Sequence, residues 1–134
     1  MNANPVFAAS VAPARSYDRR GLSVRSLQSF DVYRVAIEAA RLCVPISLSL
    51  NVNLRDQLTR ASSSVVLNIA EGFGSSSRGV KRRHYEIAQG SATECIAILE
   101  LADALGSGGE FSACVGDLYN RTAAMLTKLR SRFR

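Results

Sequence analysis

The sequence lacks most of the features on which a simple functional assignment would rest. It has no tryptophan, a single histidine (His84) and three widely separated cysteines, Cys43, Cys95 and Cys114. Because no CxxC pair and no Cys/His cluster occurs, the pattern argues against a structural zinc site. The cysteines lie on or beside apolar stripes, so we expect buried free thiols in a reducing cytoplasm.

Long apolar runs are also missing. No stretch approaches about 20 uninterrupted apolar residues, so we expect no membrane span. The first residues have no basic segment ahead of their weak apolar run, which Pro5 and Pro13 interrupt, and no signal peptide is predicted. Strand-like alternation of apolar and polar residues is nearly absent, which favours an all-α chain.

The chain does have a composition suited to one globular domain. It contains 134 residues, of which 47% are hydrophobic, and its net charge is +6. This length predicts a single domain, and the positive charge permits an anionic partner such as nucleic acid. Residues 1–26 are rich in Ala, Ser, Pro and Arg without periodicity, so we expect a disordered basic tail there. A four-helix bundle domain is predicted for residues 27–134.

Helical periodicity divides this domain into four segments. The first is expected to begin near Ser29 or Asp31, either of which could cap it, and to kink or end at Pro45, which lacks a backbone donor. The second is expected to end before Gly72, where glycines permit positive φ. The last three helices are predicted over residues 54–71, 78–105 and 110–133. Short connections between four helices predict an antiparallel up-and-down bundle.

Each of the last three helices carries apolar residues at helical spacing, which predicts the sides that face the core. The stripe of the second helix is Leu58, Ala61, Val65, Ile69 and Gly72. The third helix has two stripes, Ala88, Ala92, Cys95, Leu99 and Ala102, and then Ile87, Ile98, Leu101 and Leu105. The fourth is predicted to bury Phe111, Val115, Leu118, Thr122, Met125 and Leu129.

A polar strip lies beside these apolar stripes on the second and third helices. It consists of Arg60, Ser64, Asn68, Glu71, Ser91 and Glu94. We interpret it as a buried polar network that fixes the helix register, with acid–base catalysis or metal binding as the alternative. Glu94 falls inside an apolar stripe and so needs a partner, for which Arg60 is predicted. Neither glutamate has the Glu-x-x-His spacing of ferritin-like metal sites, and we expect no metal and no other cofactor.

Two basic clusters are candidate nucleic-acid contacts, one at the start of the third helix and one at the end of the fourth. They comprise Arg78, Lys81, Arg82, Arg83, Lys128, Arg130, Arg132 and Arg134. Cations at a helix start oppose the helix dipole, and together with bare amides they would suit a phosphate. A solvated face partly neutralised by Glu86 is the alternative. Little aromatic material other than Tyr85 is interleaved with the cations at the start of the third helix, so base stacking is not predicted there. His84 is interpreted as a solvated or interface residue.

The segments DQLTRASSSVVLNIAEGFG (Asp56–Gly74) and HYEIAQGSATE (His84–Glu94) resemble the four helix bundle protein family. The first known members of this family are encoded within intervening sequences of bacterial large-subunit ribosomal RNA genes. Phe30–Ala40 resembles the opening helix of the family, and Met125–Leu129 its last helix. The resemblance implies an up-and-down bundle, a homopentameric ring and no enzymatic activity. The link to ribosomal RNA is one of gene location.

These observations favour a non-enzymatic, cytoplasmic scaffold that associates with itself, as a pentamer, and binds RNA or another nucleic acid through its basic patches. A protein–protein adaptor with no nucleic-acid role, bound to an unidentified partner, is the alternative. An enzyme built on the polar strip is a third hypothesis, and it requires that strip to line a pocket open to solvent.

Overall fold

The computed structural model describes residues 16–17, 23–24 and 26–134 of the chain. Most of the predicted tail lies outside the described residues. Within it, β1 (Ser16–Tyr17) pairs antiparallel with β2 (Ser23–Val24). A short 3-10 turn at Leu27–Ser29 precedes the first long helix. The four long helices are α1 (Asp31–Ser47), α2 (Val52–Gly74), α3 (Arg78–Ala104) and α4 (Ser112–Ser131).

The four helices enclose one core. Close contacts join α1 with α2, α2 with α3, α3 with α4, and α1 with α4, so each helix borders two others. The predicted helical architecture of the domain is therefore confirmed. The predicted stripe of α2 and the first of the two predicted stripes of α3 are also confirmed, because their residues are buried. Within the described residues, no helix combines the length and the apolar character that crossing a membrane requires.

Helix α2 begins and ends differently from the prediction. The helix begins at Val52, two residues before the predicted start, and Asn51 is its N-cap, whose side chain accepts a hydrogen bond from the Leu54 amide at 2.9 Å. At the other end the helix continues to Gly74, and the glycines at its end do not adopt positive φ. Lys81 Nζ donates to the carbonyl oxygens of residues 72 and 73 at 2.8 and 3.0 Å. The lysine thus satisfies carbonyls that a helix end leaves unpaired.

Helix α1 differs from the prediction at both ends. Phe30 is its N-cap and offers no side-chain hydrogen bond, so the expected cap at Ser29 or Asp31 is wrong. The Ser29 hydroxyl instead donates to a carbonyl of the preceding turn at 2.7 Å. The helix also continues through Pro45 to Ser47. The proline lies in the last turn with an exposed ring, and the helix lacks only the hydrogen bond that an amide at position 45 would donate to the preceding turn.

Helix α4 buries only part of the predicted stripe, since Val115 and Thr122 are buried as predicted and the other four residues are not fully buried. Its buried residues are Ser112, Val115, Tyr119, Thr122 and Leu126. Phe111 precedes the helix and is 56% exposed, which overturns its predicted burial. The prediction started the stripe at Phe111, one residue too early, and it therefore placed Leu118 and Met125 at the centre of the buried face. Both are only partly buried.

The core holds two of the three thiols beside a tyrosine. Cys43 Sγ lies 3.5 Å from Tyr119 Oη, and Cys95 is fully buried nearby. Burial raises the pKa of the Cys95 thiol to about 12 and also raises the pKa of Cys43 and of Tyr119. The third thiol, Cys114, is exposed on α4. The expectation of three buried thiols is therefore wrong for Cys114.

Candidate nucleic-acid interface

The two predicted basic clusters lie side by side, because the start of α3 meets the end of α4. Arg78 Nη2 donates to the Arg132 carbonyl oxygen at 2.6 Å. The Phe133 ring lies beneath the Arg78 guanidinium and the Lys81 ammonium, at 5.5 and 5.8 Å from its centroid. Cation–π contact favours both arrangements. Two segments that are about 50 residues apart in sequence thus form one basic surface, which we call the basic end.

Some of the predicted cations at the basic end are engaged by the protein itself. Lys81 closes the end of α2, as described above, and Arg130 binds two side chains of α3. Its guanidinium lies 3.0 Å from Glu86 Oε1 and 2.5 Å from Gln89 Oε1. Glu86 therefore neutralises Arg130 of α4, although the sequence interpretation had it neutralise the cations of its own helix. We conclude that Lys81 and Arg130 hold the helices together.

The remaining cations of the basic end are open to solvent. All six are exposed, but the Arg78 side chain is held by its hydrogen bond to the Arg132 carbonyl. The other five are Arg82, Arg83, Lys128, Arg132 and Arg134. Within the part of the chain that the structure describes, none of these five side chains forms an ion pair. Unpaired charges of one sign on neighbouring helix ends create a positive potential that attracts polyanions.

An aromatic cluster lies at the same end, which the sequence interpretation did not predict. The Phe30 ring lies 5.0 Å from Phe73 and 6.4 Å from Tyr85, and Tyr85 lies 6.0 Å from Phe133. These tilted pairs have the geometry that aromatic rings prefer. Tyr85 is buried, which raises its pKa, whereas the three phenylalanines are partly exposed. A cavity of about 670 Å³ opens beside them.

The aromatic residues were missed because they are distant in sequence. Phe30 lies at the start of α1, Phe73 at the end of α2, Tyr85 near the start of α3 and Phe133 just after α4. Phe133, between Arg132 and Arg134, and Tyr85, two residues after Arg83, are interleaved with basic residues along the chain. Phe30 and Phe73 have no adjacent basic residue, so this pattern could not reveal them. The sequence did contain one indication, since each aromatic residue stands near a predicted helix end. These are the starts of α1 and α3 and the ends of α2 and α4, and the four ends meet in the structure.

The polar strip forms a connected chain of hydrogen bonds across α2 and α3. The Ser64 and Ser91 hydroxyls lie 2.8 Å apart, and Asn68 Nδ2 donates to the Ser64 carbonyl oxygen at 2.8 Å. His84 joins this chain through Nδ1, 3.0 Å from Asn68 Oδ1, and Nε2, 3.3 Å from Glu71 Oε2. His84 therefore belongs to the strip, although the sequence interpretation left it out.

The strip lies at the surface of the single chain. Arg60 and Glu94 do meet, with Nη2 and Oε1 3.9 Å apart, but their side chains are 75% and 46% exposed. The predicted burial of this pair is therefore wrong. The reason is that the second stripe of α3 faces outward over most of its length, with Ile87, Leu101 and Leu105 exposed beside Glu94. Among the described residues, no group of three or more His, Cys, Asp and Glu side chains could hold a metal ion.

Comparison with known proteins identifies a family for the chain. No curated protein shows significant similarity to the chain. The family model described as 23S rRNA-intervening sequence protein matches residues 28–128, which is well over half of the sequence and includes all of α1, α2 and α3. The chain thus belongs to the 23S rRNA-intervening sequence protein family.

Proposed function

We propose that this protein is a non-enzymatic, cytoplasmic scaffold that binds RNA or another nucleic acid through its basic end. The observation that supports this most is the set of five exposed, unpaired cations where α3 begins and α4 ends. A phosphate backbone pairs with such charges regardless of sequence, and it releases its own counterions when it does so.

The position of these cations favours a ligand over a purely structural role. Arg82 and Arg83 stand in the second turn of α3, and Arg82 follows Arg78 at the i,i+4 spacing, where like charges destabilise a helix. No described carboxylate forms an ion pair with Arg82 or Arg83. Residues that oppose local stability are often kept for function. A bound polyanion would remove the repulsion.

Self-association is part of the proposal. Large apolar side chains are exposed on α2 and α3 next to the polar strip, including Leu67 (60%), Leu101 (46%) and Leu105 (60%). A second copy that covers this face would bury them. Family resemblance favours a homopentameric ring, in which each copy would present one basic end. Several basic ends on one particle would increase the avidity for a long RNA.

We further propose that the helices run antiparallel, up and down. Tyr85, near the start of α3, contacts Phe133 after the end of α4. The Ser112 hydroxyl, at the start of α4, lies 3.4 Å from the carbonyl oxygen of Leu99 in the last turns of α3. These two contacts support opposite directions for α3 and α4.

A binding role also suits the contacts of the polar strip better than a catalytic role does. The serines of the strip bond to each other and to Asn68, and no hydroxyl of the strip contacts His84. A serine needs an adjacent base to act as a nucleophile. These hydrogen bonds are therefore better suited to fixing the orientation of α2 relative to α3.

The salt dependence of RNA affinity tests this proposal. The affinity for a fluorescent single-stranded RNA is measured by anisotropy at several salt concentrations, for the unchanged protein and for Arg82→Gln/Arg83→Gln. Each lost phosphate contact lowers the slope of log affinity against log salt by about 0.7, so the double variant should lose about 1.4. Arg60→Gln/Arg121→Gln, which removes equal charge away from the basic end, is the control. Light scattering checks that all proteins have the same mass.

Two results would contradict the proposal. An unchanged slope in Arg82→Gln/Arg83→Gln would mean that these residues do not contact phosphate, and an equal loss in the control would mean that only net charge matters. The adaptor alternative would be favoured if the unchanged protein retained no RNA near physiological salt and instead bound a partner protein stably. That alternative has the exposed apolar side chains of α2 and α3 in its favour.

A further inference from the structure

We propose that the cavity at the basic end receives the base of an unpaired nucleotide, so that the protein selects single-stranded over fully paired RNA. This inference rests on the proposed function, because it names the form of nucleic acid that the basic end would take. The charges alone would bind paired and unpaired strands alike.

The size and the walls of the cavity suit a nucleotide. Its volume of about 670 Å³ is within the roughly 300–1,000 Å³ of small-molecule sites. Phe30, Phe73, Tyr85 and Phe133 all belong to its lining, and Met125 and Leu129 extend the apolar surface. Aromatic side chains are the usual stacking partners of unpaired bases, since every base has a π-face.

Positive charge stands beside the rings, where the sugar–phosphate backbone of a bound strand would run. Lys81, Lys128 and Arg132 belong to the lining of the same cavity. Asp31 is also part of the lining, but Arg34 lies 2.6 Å from its carboxylate and offsets its charge. The site therefore combines an apolar aromatic interior with three cations, none of which forms an ion pair with a carboxylate among the described residues. That combination fits a ligand with a flat apolar body and an attached phosphate.

The shape of the site explains the preference for unpaired strands. A base in a duplex is stacked on both faces and hidden inside the helix, so it cannot enter a cavity between helix ends. In loops, bulges and strand ends the bases can turn outward and stack on protein side chains. A paired strand would touch only the exposed cations.

The affinities for a single strand and for a blunt duplex of the same length test the inference. Phe73→Leu keeps an apolar side chain but removes a stacking face. We expect this change to weaken single-strand binding by about ten-fold, within the range for the loss of one stacked base, and to leave duplex binding unchanged. Phe111→Leu is the matched control, because Phe111 is exposed but is not part of the cavity lining.

A second measurement uses only the unchanged protein, so it does not depend on the folding of a variant. A single strand that carries the fluorescent base 2-aminopurine should lose fluorescence on binding, since stacking on the rings quenches it. Adenosine monophosphate should compete with the strand better than inorganic phosphate does, yet more weakly than an unlabelled strand. Unquenched 2-aminopurine at saturation would overturn the inference, and so would equal competition by phosphate.

Failure of this inference can be distinguished from failure of the proposed function. If the unchanged protein binds neither single strand nor duplex, the proposed function fails. If it binds both equally, with a loss in Arg82→Gln/Arg83→Gln but none in Phe73→Leu, the proposed function stands and the base site is overturned. Tighter binding of free adenosine monophosphate than of the strand would assign the cavity to a small nucleotide and would also overturn the inference.

Discussion

Substitution of Gly72 by alanine should destabilise the bundle through one identifiable contact. A Cβ atom at this position would lie 2.5 Å from Cε1 and 2.9 Å from Cδ1 of Tyr85, about 1 Å closer than favourable carbon contacts. The ring is only 2% exposed, so it cannot move aside without repacking its neighbours. Overpacking of this kind costs about 1–3 kcal/mol.

The matched control is Gly116→Ala, in the interior of α4, where an added Cβ would meet no atom within 4 Å. Alanine favours a helix interior over glycine by about 1 kcal/mol, so this control should be slightly stabilised. Gly72 also lies within α2, so both variants gain this helix preference. We therefore expect their free energies of unfolding, measured in urea, to differ by about 1–3 kcal/mol, the cost of the overpacking alone. A double variant with Tyr85→Leu should lose most of the Gly72→Ala penalty, which a double-mutant cycle measures. Equal stability of the two single variants would refute the reasoning.

Two further predictions concern the polar strip and the thiols. Under conditions where light scattering shows a monomer, Glu94→Ala should lower the free energy of unfolding by less than about 0.5 kcal/mol, because in a single copy its pair with Arg60 is long and exposed. A loss near 3 kcal/mol in urea unfolding would instead mean that the single chain buries the pair. At pH 8 a thiol reagent should label exposed Cys114 first, because burial raises the pKa of Cys43 and Cys95 and keeps both thiols protonated. The labelling is monitored by absorbance. Equally fast labelling of all three cysteines would contradict the burial of Cys43 and Cys95 in the core.

The sequence was sufficient to predict the helices wherever the apolar spacing was regular. The stripe of α2 and the first stripe of α3 are buried as predicted, because small and branched apolar residues recur there at the period of a helix. The second stripe of α3 is mostly exposed. The stripe of α4 was misplaced because Phe111, the residue chosen to anchor it, lies outside the helix. A large aromatic residue near a helix start is ambiguous, since only tertiary packing decides whether it turns inward.

The sequence predicted the basic residues of the candidate site but not their spatial arrangement. The basic residues were visible as clusters, since Arg78, Arg82 and Arg83 stand close together in sequence. The sequence could not show that these residues lie against the end of α4 and near Phe30 and Phe73, because both contacts depend on how the helices pack. Likewise the role of His84 followed from its contacts with Asn68 and Glu71, which a periodicity argument restricted to apolar residues could not supply.

Photochemical crosslinking of a bound RNA, read by mass spectrometry of the peptides, tests most directly whether the basic end is the site of binding. We predict adducts in the segments 73–85 and 128–134, which contain Phe73, Tyr85, Lys128 and Phe133. Adducts confined to other segments, such as the one around exposed Phe111, would contradict the account.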